Sequence, residues 1–398
     1  MNGREVWVTG MGAVTAAGRG VSLLRQAMLE ERSAVQPQRE LNGLSAASVP
    51  ELPRSRLTRR LDRSAAMFVS AAQEAWSEAG LDGAPLQPDR CAVIEGSSLG
   101  SMADLLRAHA RSSGERPAVR PSRLVRFMSG AGGATFAQAH GFEGPVFHLS
   151  AGSTSAATAI GEGFLWIEAG RADVVMAGGA ECPLHPEVVE HFRAAGILAE
   201  RDGRSPACRP FDAERAGTVL GEGGGAVVIE AAEHARKRRV SPLAVLRGYG
   251  LSCESHNIVA PHPDGAGVAA AARRALSGAG LARIGWIKTH GTGTQHNDAA
   301  ECSGLAALFG CDLPGIPLTG LKPYIGHCLG ASGAVEAVAA VLALRAGCIP
   351  ATLGTERVDP DLPPCTVVTR SRESDADAIL LLAASFGGKC SALVVGRA

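Results

Sequence analysis

Large aromatic side chains are scarce in this chain: Phe, Trp and Tyr make up 4% of 398 residues. A core short of rings must be filled by backbones that approach one another closely, and the 50 glycines suit that use. Net charge is also lacking, because 39 Lys and Arg balance 39 Asp and Glu. Nucleic acid and anionic membranes both need a concentrated positive field, so neither is expected as the main partner. No G-X-Y period accompanies the glycine, which excludes a collagen-like chain. No run of about 18 apolar residues is read in the sequence, so no spanning helix is expected. The opening residues, MNGREVWVTGMG, lack a basic segment followed by a long apolar one. A secretory signal is therefore not expected, and a cytoplasmic location is. The ten cysteines, at 91, 182, 208, 253, 302, 311, 328, 348, 365 and 390, form no C-x-x-C and no Cys/His zinc spacing. Reduced thiols and no bound metal are the expectation.

What remains is enough for a sizeable core: 46% of residues are hydrophobic and 20% charged. Short apolar runs alternate with Ala-rich helical stretches, the pattern of an α/β fold. In the first half the runs Val6–Thr9, Cys91–Glu95, Val146–Leu149, Val174–Ala177 and Gly225–Ile229 read as strands, with helices over Ser64–Glu78 and Ser155–Glu168. The second half repeats the plan. Its strands are Leu243–Arg247, Trp286–Thr289, Pro317–Gly320, Ala378–Leu382 and Ser391–Val395, and its helices Ala266–Leu276, Asn297–Leu308 and Ala334–Ala346. Five strands in each half suggest an internal duplication, residues 1–240 and 241–398, joined near the polar segment Ala231–Ser241. The Lys237–Arg239 run there reads as a solvated helix end or linker. Residues 31–60, 111–125 and 352–374 read as long loops, of a size that usually covers a site or a partner surface.

Three strand ends run into polar, Gly-rich turns, where α/β folds place their chemistry. In FHLSAGSTSAATAIGEG, from Phe147, Ser153 sits at a sharp strand-to-helix turn. A nucleophile there gains backbone N–H donors and the helix dipole, but a serine there can equally be a plain N-cap. In KTHGTGTQHNDAAE, from Lys288, His290 follows a strand and is a candidate acid/base group, with Asn297 or Asp298 available to cap the next helix. In GLKPYIGHCLGASGAVE, from Gly320, Lys322 and His327 lie five apart before a helix, where a cation could set the protonation state of an imidazole. A nucleophile position, two histidines and a lysine together fit acyl transfer with oxyanion stabilisation.

In order along the chain, these segments resemble the β-ketoacyl-acyl-carrier-protein synthases, the condensing enzymes of the thiolase fold. VWVTGMGAVTAAG from Val6, SGAGGATFAQAHGFEGP from Ser129, ADVVMAGGAE from Ala172 and PFDAERAGTVLGEGGGAVVIE from Pro210 are similar to signatures of that family. So are HGTGTQHND from His290 and KPYIGHCLGASGAVE from Lys322. The resemblance covers nearly the whole chain and is closest to elongating synthases of type II fatty-acid and polyketide systems. It implies a five-layer αβαβα fold built from two βαβαβαββ halves. It implies His290 and His327 as a catalytic pair, Lys322 as their support and Glu336 as a structural carboxylate. Thr292 and Thr294 would face the phosphopantetheine arm, and Ser385-Phe386-Gly387-Gly388 would be the gating loop, with Phe386 as the gate. The implied partner is an acidic acyl carrier protein that brings its own phosphopantetheine, so no resident cofactor is expected. Arg120, Arg123 and Arg126 are candidates to receive it. A dimer, either with itself or with a second synthase, would pair through Val146–Leu149.

The chain departs from the family where the family's chemistry starts. The position of the nucleophilic Cys holds Ser153, and no Cys is nearby in sequence. The first Gly of the gating loop is Ser385, the residue before it is Ala384, and Cys390 stands where an Asn is usual. A hydroxyl needs an adjacent base to act as nucleophile, and the oxygen ester it would form is a poorer acyl donor than a thioester. Three expectations follow: an acyltransferase with Ser153 as nucleophile, a non-catalytic chain-length-factor-like partner of an active synthase, or a decarboxylase of malonyl-carrier protein.

Overall fold

The computed structural model describes residues 3–110, 121–199, 207–281 and 283–398. In the first half, strands β1 (Val6–Thr15), β2 (Cys91–Gly96), β3 (Val146–Leu149), β4 (Val174–Glu181) and β5 (Gly223–Ala231) pair in the order β1-β5-β4-β2-β3. Helices α1 (Arg63–Glu78), α2 (Ala131–His140) and α3 (Ser155–Glu168) connect the first four. The second half has β6 (Ala244–Cys253), β7 (Trp286–Lys288), β8 (Pro317–Thr319), β9 (Ala378–Ser385) and β10 (Lys389–Gly396), in the order β6-β10-β9-β7-β8. Its helices are α4 (Ala266–Ala279), α5 (Gln295–Phe309) and α6 (Ser332–Ala346). Each pairing has its counterpart with the same sense. β1–β5 and β6–β10 are antiparallel, β5–β4 and β10–β9 antiparallel, β4–β2 and β9–β7 parallel, β2–β3 and β7–β8 parallel. The halves are therefore topological copies, each βαβαβαββ. Three antiparallel residue pairs join them into one sheet: Val6 with Leu246, Trp7 with Val245 and Val8 with Ala244.

Alternation along the strands distributes side chains among three cores and so makes five layers. Val175 and Ala177 of β4 turn inward with Ile379 and Leu381 of β9, and α3 and α6 lie between them. Val174 and Met176 turn outward onto α1 and α2. Leu380 and Leu382 turn outward onto α4 and α5. Each fully buried Val, Ile or Leu contributes on the order of 1.5–3 kcal/mol relative to exposure. Helix α6 is covered on both sides, which is why its sequence is apolar around its whole circumference. Leu329–Ala346 is 18 residues long with mean hydropathy 1.5, long and apolar enough by length and composition to cross a membrane, although Ser332, Glu336 and Arg345 interrupt it. In this fold 83% of that stretch is buried inside the protein.

The shortage of rings is met by one contact made twice. A Cβ on Gly10 or Gly12 of β1 would overlap the carbonyl oxygens of Ala75 or Ala71 in α1. A Cβ on Gly248 or Gly250 of β6 would overlap those of Ala275 or Ala271 in α4. The duplicated Gly-x-Gly sets a helix-to-strand distance that any side chain would widen.

All ten strands expected from the sequence form. Helices Val21–Leu29, Met102–Ala110, α2, Pro186–Ala194 and Ala232–Lys237 were not foreseen. The Lys237–Arg239 run at the joint is a helix end, with Lys237 and Arg239 exposed and Arg238 between them anchored. Arg238 donates to Glu230 at 2.9 Å and to the carbonyls of Ala79 and Gly80, and Arg236 lies 4.6 Å from the centre of the Trp7 ring. Of the long loops, 31–60 contains only short turns and a two-residue ladder, and 352–374 is tied to β8 by Thr366–Val367. Residues 111–120 lie outside the described residues.

Candidate active site

The loops that follow β3 and β8 occupy equivalent places in the two halves, and both lead into the paired central helices. A Cβ on Gly333 would stand 2.6 Å from the Ala157 Cβ, so α6 and α3 touch near their N-termini and bring these loops together. Ser153 lies on the first loop. It is half-buried and is not a helix cap, which answers the question the sequence left open. The turn is closed by its neighbours: Thr154 Oγ1 donates to the Ala151 carbonyl at 2.8 Å and Ser155 Oγ to the Gly152 carbonyl at 2.6 Å. The Ser153 hydroxyl oxygen is left 3.2 Å from His327 Nε2. On the far side of that ring, Nδ1 is 2.9 Å from Ser332 Oγ at the start of α6.

His290 follows β7, and its ring stands 5.3 Å from that of His327 at an angle of 82°. Both rings are buried. Lys322, in the short helix Lys322–Ile325, is fully buried rather than on the surface. Its ammonium donates to the His290 carbonyl, to Glu336 Oε1 at 2.8 Å and to His290 Nδ1 at 3.3 Å. An ammonium can only donate, so Nδ1 accepts and the neutral ring of His290 carries its proton on Nε2. Burial lowers the pKa of both histidines well below the ordinary 6.5, and the neighbouring lysines lower it further. Both rings are accordingly neutral at physiological pH.

Lys288 has a part in this site that the sequence did not disclose. It is the last residue of β7, two before His290, and its ammonium donates to Glu336 Oε2 and to the Leu382 carbonyl at 2.6 Å. Its signal was the strand period. Trp286 and Lys288 share the face toward the central layer while Ile287 faces outward, so a lysine there has to be buried. Burial pushes its pKa down, and the attraction of Glu336 only partly offsets this. The same burial acts to raise the Glu336 carboxyl, but Lys288 and Lys322 together hold it below the usual carboxylate range.

Two further carboxylates shape the H-G-T-G-T turn. Glu301 accepts the backbone N–H of His290 at 2.6 Å and of Gly291 at 2.9 Å, and burial raises its pKa to about 7 in spite of these bonds. Asp298 does not cap the helix. Helix α5 begins at Gln295, and Asp298 reaches back from inside it to the N–H groups of Thr292, Gly293 and Phe211. Thr292 and Thr294 share a hydroxyl–hydroxyl bond of 2.8 Å, with Thr294 the more open of the two.

The Phe386-Gly387-Gly388 turn between β9 and β10 reaches the same place. Ser153 N–H donates to Ser385 Oγ at 2.9 Å, and Phe386 is 47% exposed. Cys390 is buried in the outer core of the second half, and Cys328, next to His327, turns its sulfur toward the Glu222 and Ile325 carbonyls. All ten cysteines are free, and no His, Cys, Asp and Glu cluster suited to a metal occurs among the described residues. Of the proposed carrier-protein arginines, Arg126 is half-buried, while Arg120 and the side chain of Arg123 lie outside the described residues.

Known proteins with this architecture point one way. The family model for the β-ketoacyl synthase N-terminal domain matches residues 3–235, and that for the β-ketoacyl synthase C-terminal domain matches 243–356. The putative β-ketoacyl synthase 1 of granaticin polyketide synthesis from Streptomyces violaceoruber is 32% identical over 414 aligned positions, covering 99% of this chain and 98% of that protein. A type II polyketide synthase ketosynthase, solved with its acyl-carrier protein and bound to the hexaketide, superposes with a TM-score of 0.91 at 26% identity over the full length of both chains. The ishigamide ketosynthase/chain length factor structure gives 0.90 at 28% identity, also over both full lengths.

Proposed function

The chain belongs to the β-ketoacyl synthase family, and on that premise we propose that it is an acyltransferase of fatty-acid or polyketide biosynthesis with Ser153 as acyl acceptor. Its donor is an acyl chain held as a thioester on the phosphopantetheine arm of an acyl carrier protein. The observation that carries this reading is the 3.2 Å approach of Ser153 Oγ to a neutral His327. With the His327 proton on Nδ1 and shared with Ser332, Nε2 accepts the Ser153 proton. Ser153 Oγ then attacks the thioester carbonyl, the C–S bond breaks, and the departing thiolate takes the proton from His327. The products are acyl-Ser153 and the free thiol of the carrier. His290, with its proton on Nε2, is a donor for developing negative charge on the substrate, and the Lys322–Glu336–Lys288 cluster holds that tautomer. Thr292 and Thr294 lie along the same turn as candidates to meet the pantetheine arm, and Phe386, Gly387 and Gly388 bound the acyl end.

An acyl-Ser153 oxygen ester is a weaker electrophile than a thioester, so transfer to a hydroxyl, an amine or water is favoured over carbon–carbon condensation. The open edge of β3, where Val146 and Phe147 are 41% and 53% exposed, is the surface proposed for dimer pairing. Incubation with acyl-carrier protein and intact-mass measurement tests the reading. A single acyl adduct that is absent in Ser153→Ala is expected, and an adduct that persists in Ser153→Ala refutes it.

A second reading, a non-catalytic partner of an active ketosynthase, draws on the Ser153 N–H being already engaged by Ser385. Co-expression with a Cys-bearing ketosynthase distinguishes it: a heterodimer with altered product length is required. Decarboxylation by the His pair alone would release carbon dioxide from malonyl-carrier protein at the same rate in Ser153→Ala.

A further inference from the structure

Acylation of Ser153 passes through a tetrahedral intermediate whose oxyanion needs N–H or O–H donors about 2.7–3.1 Å away. The backbone N–H of the nucleophile's own residue is beside that oxygen by construction. In this protein it is not free, because it donates to Ser385 Oγ at 2.9 Å across 232 residues of sequence. The fit is specific. Gly152 has φ +64°, and a Cβ on it would overlap the Ser385 oxygen, so the bare backbone before Ser153 forms a socket for that hydroxyl.

Ser385 is also the root of a glycine-rich turn. It ends β9, opposite Lys389 of β10, and the turn beyond it contains Gly387 at φ +79° and Gly388 at φ +69°. The tip is tied to the neighbouring chain by Gly387 N–H donating to the carbonyl of Ile258, itself 77% exposed, by Glu254 N–H donating to the Gly388 carbonyl at 2.9 Å, and by the Cys253 thiol donating to the Gly387 carbonyl at 3.6 Å. Phe386 stands half in solvent between Ser385 and these ties.

We propose that Ser385 is a latch that closes the oxyanion site of the free protein, so that acylation waits on withdrawal of the Ser385 hydroxyl from the Ser153 N–H. It is a positioning residue, acting on the reaction through the Ser153 amide. The inference rests on Ser153 being the acyl acceptor. One strong donor serves one acceptor, so Ser385 and the oxyanion compete for the same hydrogen. A substrate that displaces the Phe386 turn opens the site, and a small ester or water that does not displace it meets a closed one. The latch thus selects for ligands that engage the turn.

The test uses the full-length protein, the hexanoyl thioester of N-acetylcysteamine and intact-mass kinetics. Ser385→Ala removes the competing oxygen and is expected to acylate Ser153 about tenfold faster, the ratio set by one neutral hydrogen bond. Ser385→Thr, which restores the acceptor, is expected to return the rate to the slow value; loosening of the turn alone would not give that reversal. Hydrogen exchange at the Ser153 amide is expected to quicken in Ser385→Ala. An equal or slower acylation rate in Ser385→Ala overturns the latch, and a slower one would make the hydroxyl an oxyanion donor instead. If no variant forms an adduct, the acyl-acceptor reading fails, and unchanged exchange at Ser153 then overturns the latch separately.

Discussion

Replacing Glu336 by Gln removes the carboxylate that two buried ammonium groups share. The Lys288 and Lys322 side chains are 1% and 0% exposed, and each is ion-paired to a different oxygen of Glu336. The amide keeps the shape of the side chain but carries no charge, and its nitrogen turns donors toward one of the two lysines. Breaking a buried pair by removing one partner costs about 3–5 kcal/mol, because the remaining charge is left desolvated. Unfolding entropy is near 2.1 cal/mol/K per residue, so about 4 kcal/mol across a chain of this length lowers the melting temperature by about 5 °C. Circular dichroism melts at pH 7.5 measure this directly. The pH dependence follows from the shifts. Glu336 lies below its ordinary 4.5 in the folded protein, so its contribution is complete above pH 4.5 and is lost as pH falls through the lower folded value. Lys288 is depressed below 10.5, so the folded form binds fewer protons than the unfolded one and gains stability as pH rises toward 10.5. Without Glu336 that depression deepens and the gain grows. The gap between wild type and Glu336→Gln should therefore be widest near neutrality and narrow at both ends. A variant melting within about 1 °C of wild type at pH 7.5, or a gap that widens from pH 7.5 to 10, would refute Glu336 as the counter-ion.

His327→Ala should slow acylation of Ser153 by about 100- to 10,000-fold, as for a lost general base, measured by intact mass. In the wild type the active form is neutral His327, whose pKa lies well below 6.5, so acylation should be level from pH 8 to 6 and decline only at lower pH; a midpoint near 6.5 would contradict the burial argument. Ser153→Cys replaces a hydroxyl by a thiol next to the same imidazole and should acylate at least about 100-fold faster at pH 8, with iodoacetamide labelling of Cys as a second readout. Gly12→Ala and Gly250→Ala each drive a methyl into a helix carbonyl, and each should cost about 1–3 kcal/mol in urea denaturation. A loss from one and not the other would break the equivalence of the two halves.

The fold was largely legible because burial on both faces writes strands as uninterrupted apolar runs, as in VVMA of β4 and ILLL of β9. Helix α2 was not, since AGGATFAQAH has poor helix propensity and owes its form to packing: Gly133 N–H donates to Glu95 at 2.7 Å, and Phe136 is buried in the outer core. At the site, Ser153, His290, Lys322 and His327 stand out as chemical residue types at strand ends, and the structure brings all four together. Their partners were harder to foresee. Glu336 looks like one charge in an apolar helix, and which lysines it meets depends on β7 and α6 lying together in the central layer. Ser385 was visible as a departure from Gly, but its bond to the Ser153 amide spans 232 residues, and no local pattern encodes a contact of that range.

The two topological copies have divided the labour. One half holds the hydroxyl, the other holds both imidazoles and their lysines, and the central helices α3 and α6 belong one to each. Cut the chain after Arg239 and neither fragment has a site, or even a covered inner face; each would leave its central helix without the opposite sheet. Expressed together they have a reason to find one another, since the surface each must hide is the surface the other supplies. The proposed acyl transfer to Ser153 would then report reunion of the fragments, and the protein would serve as its own complementation sensor.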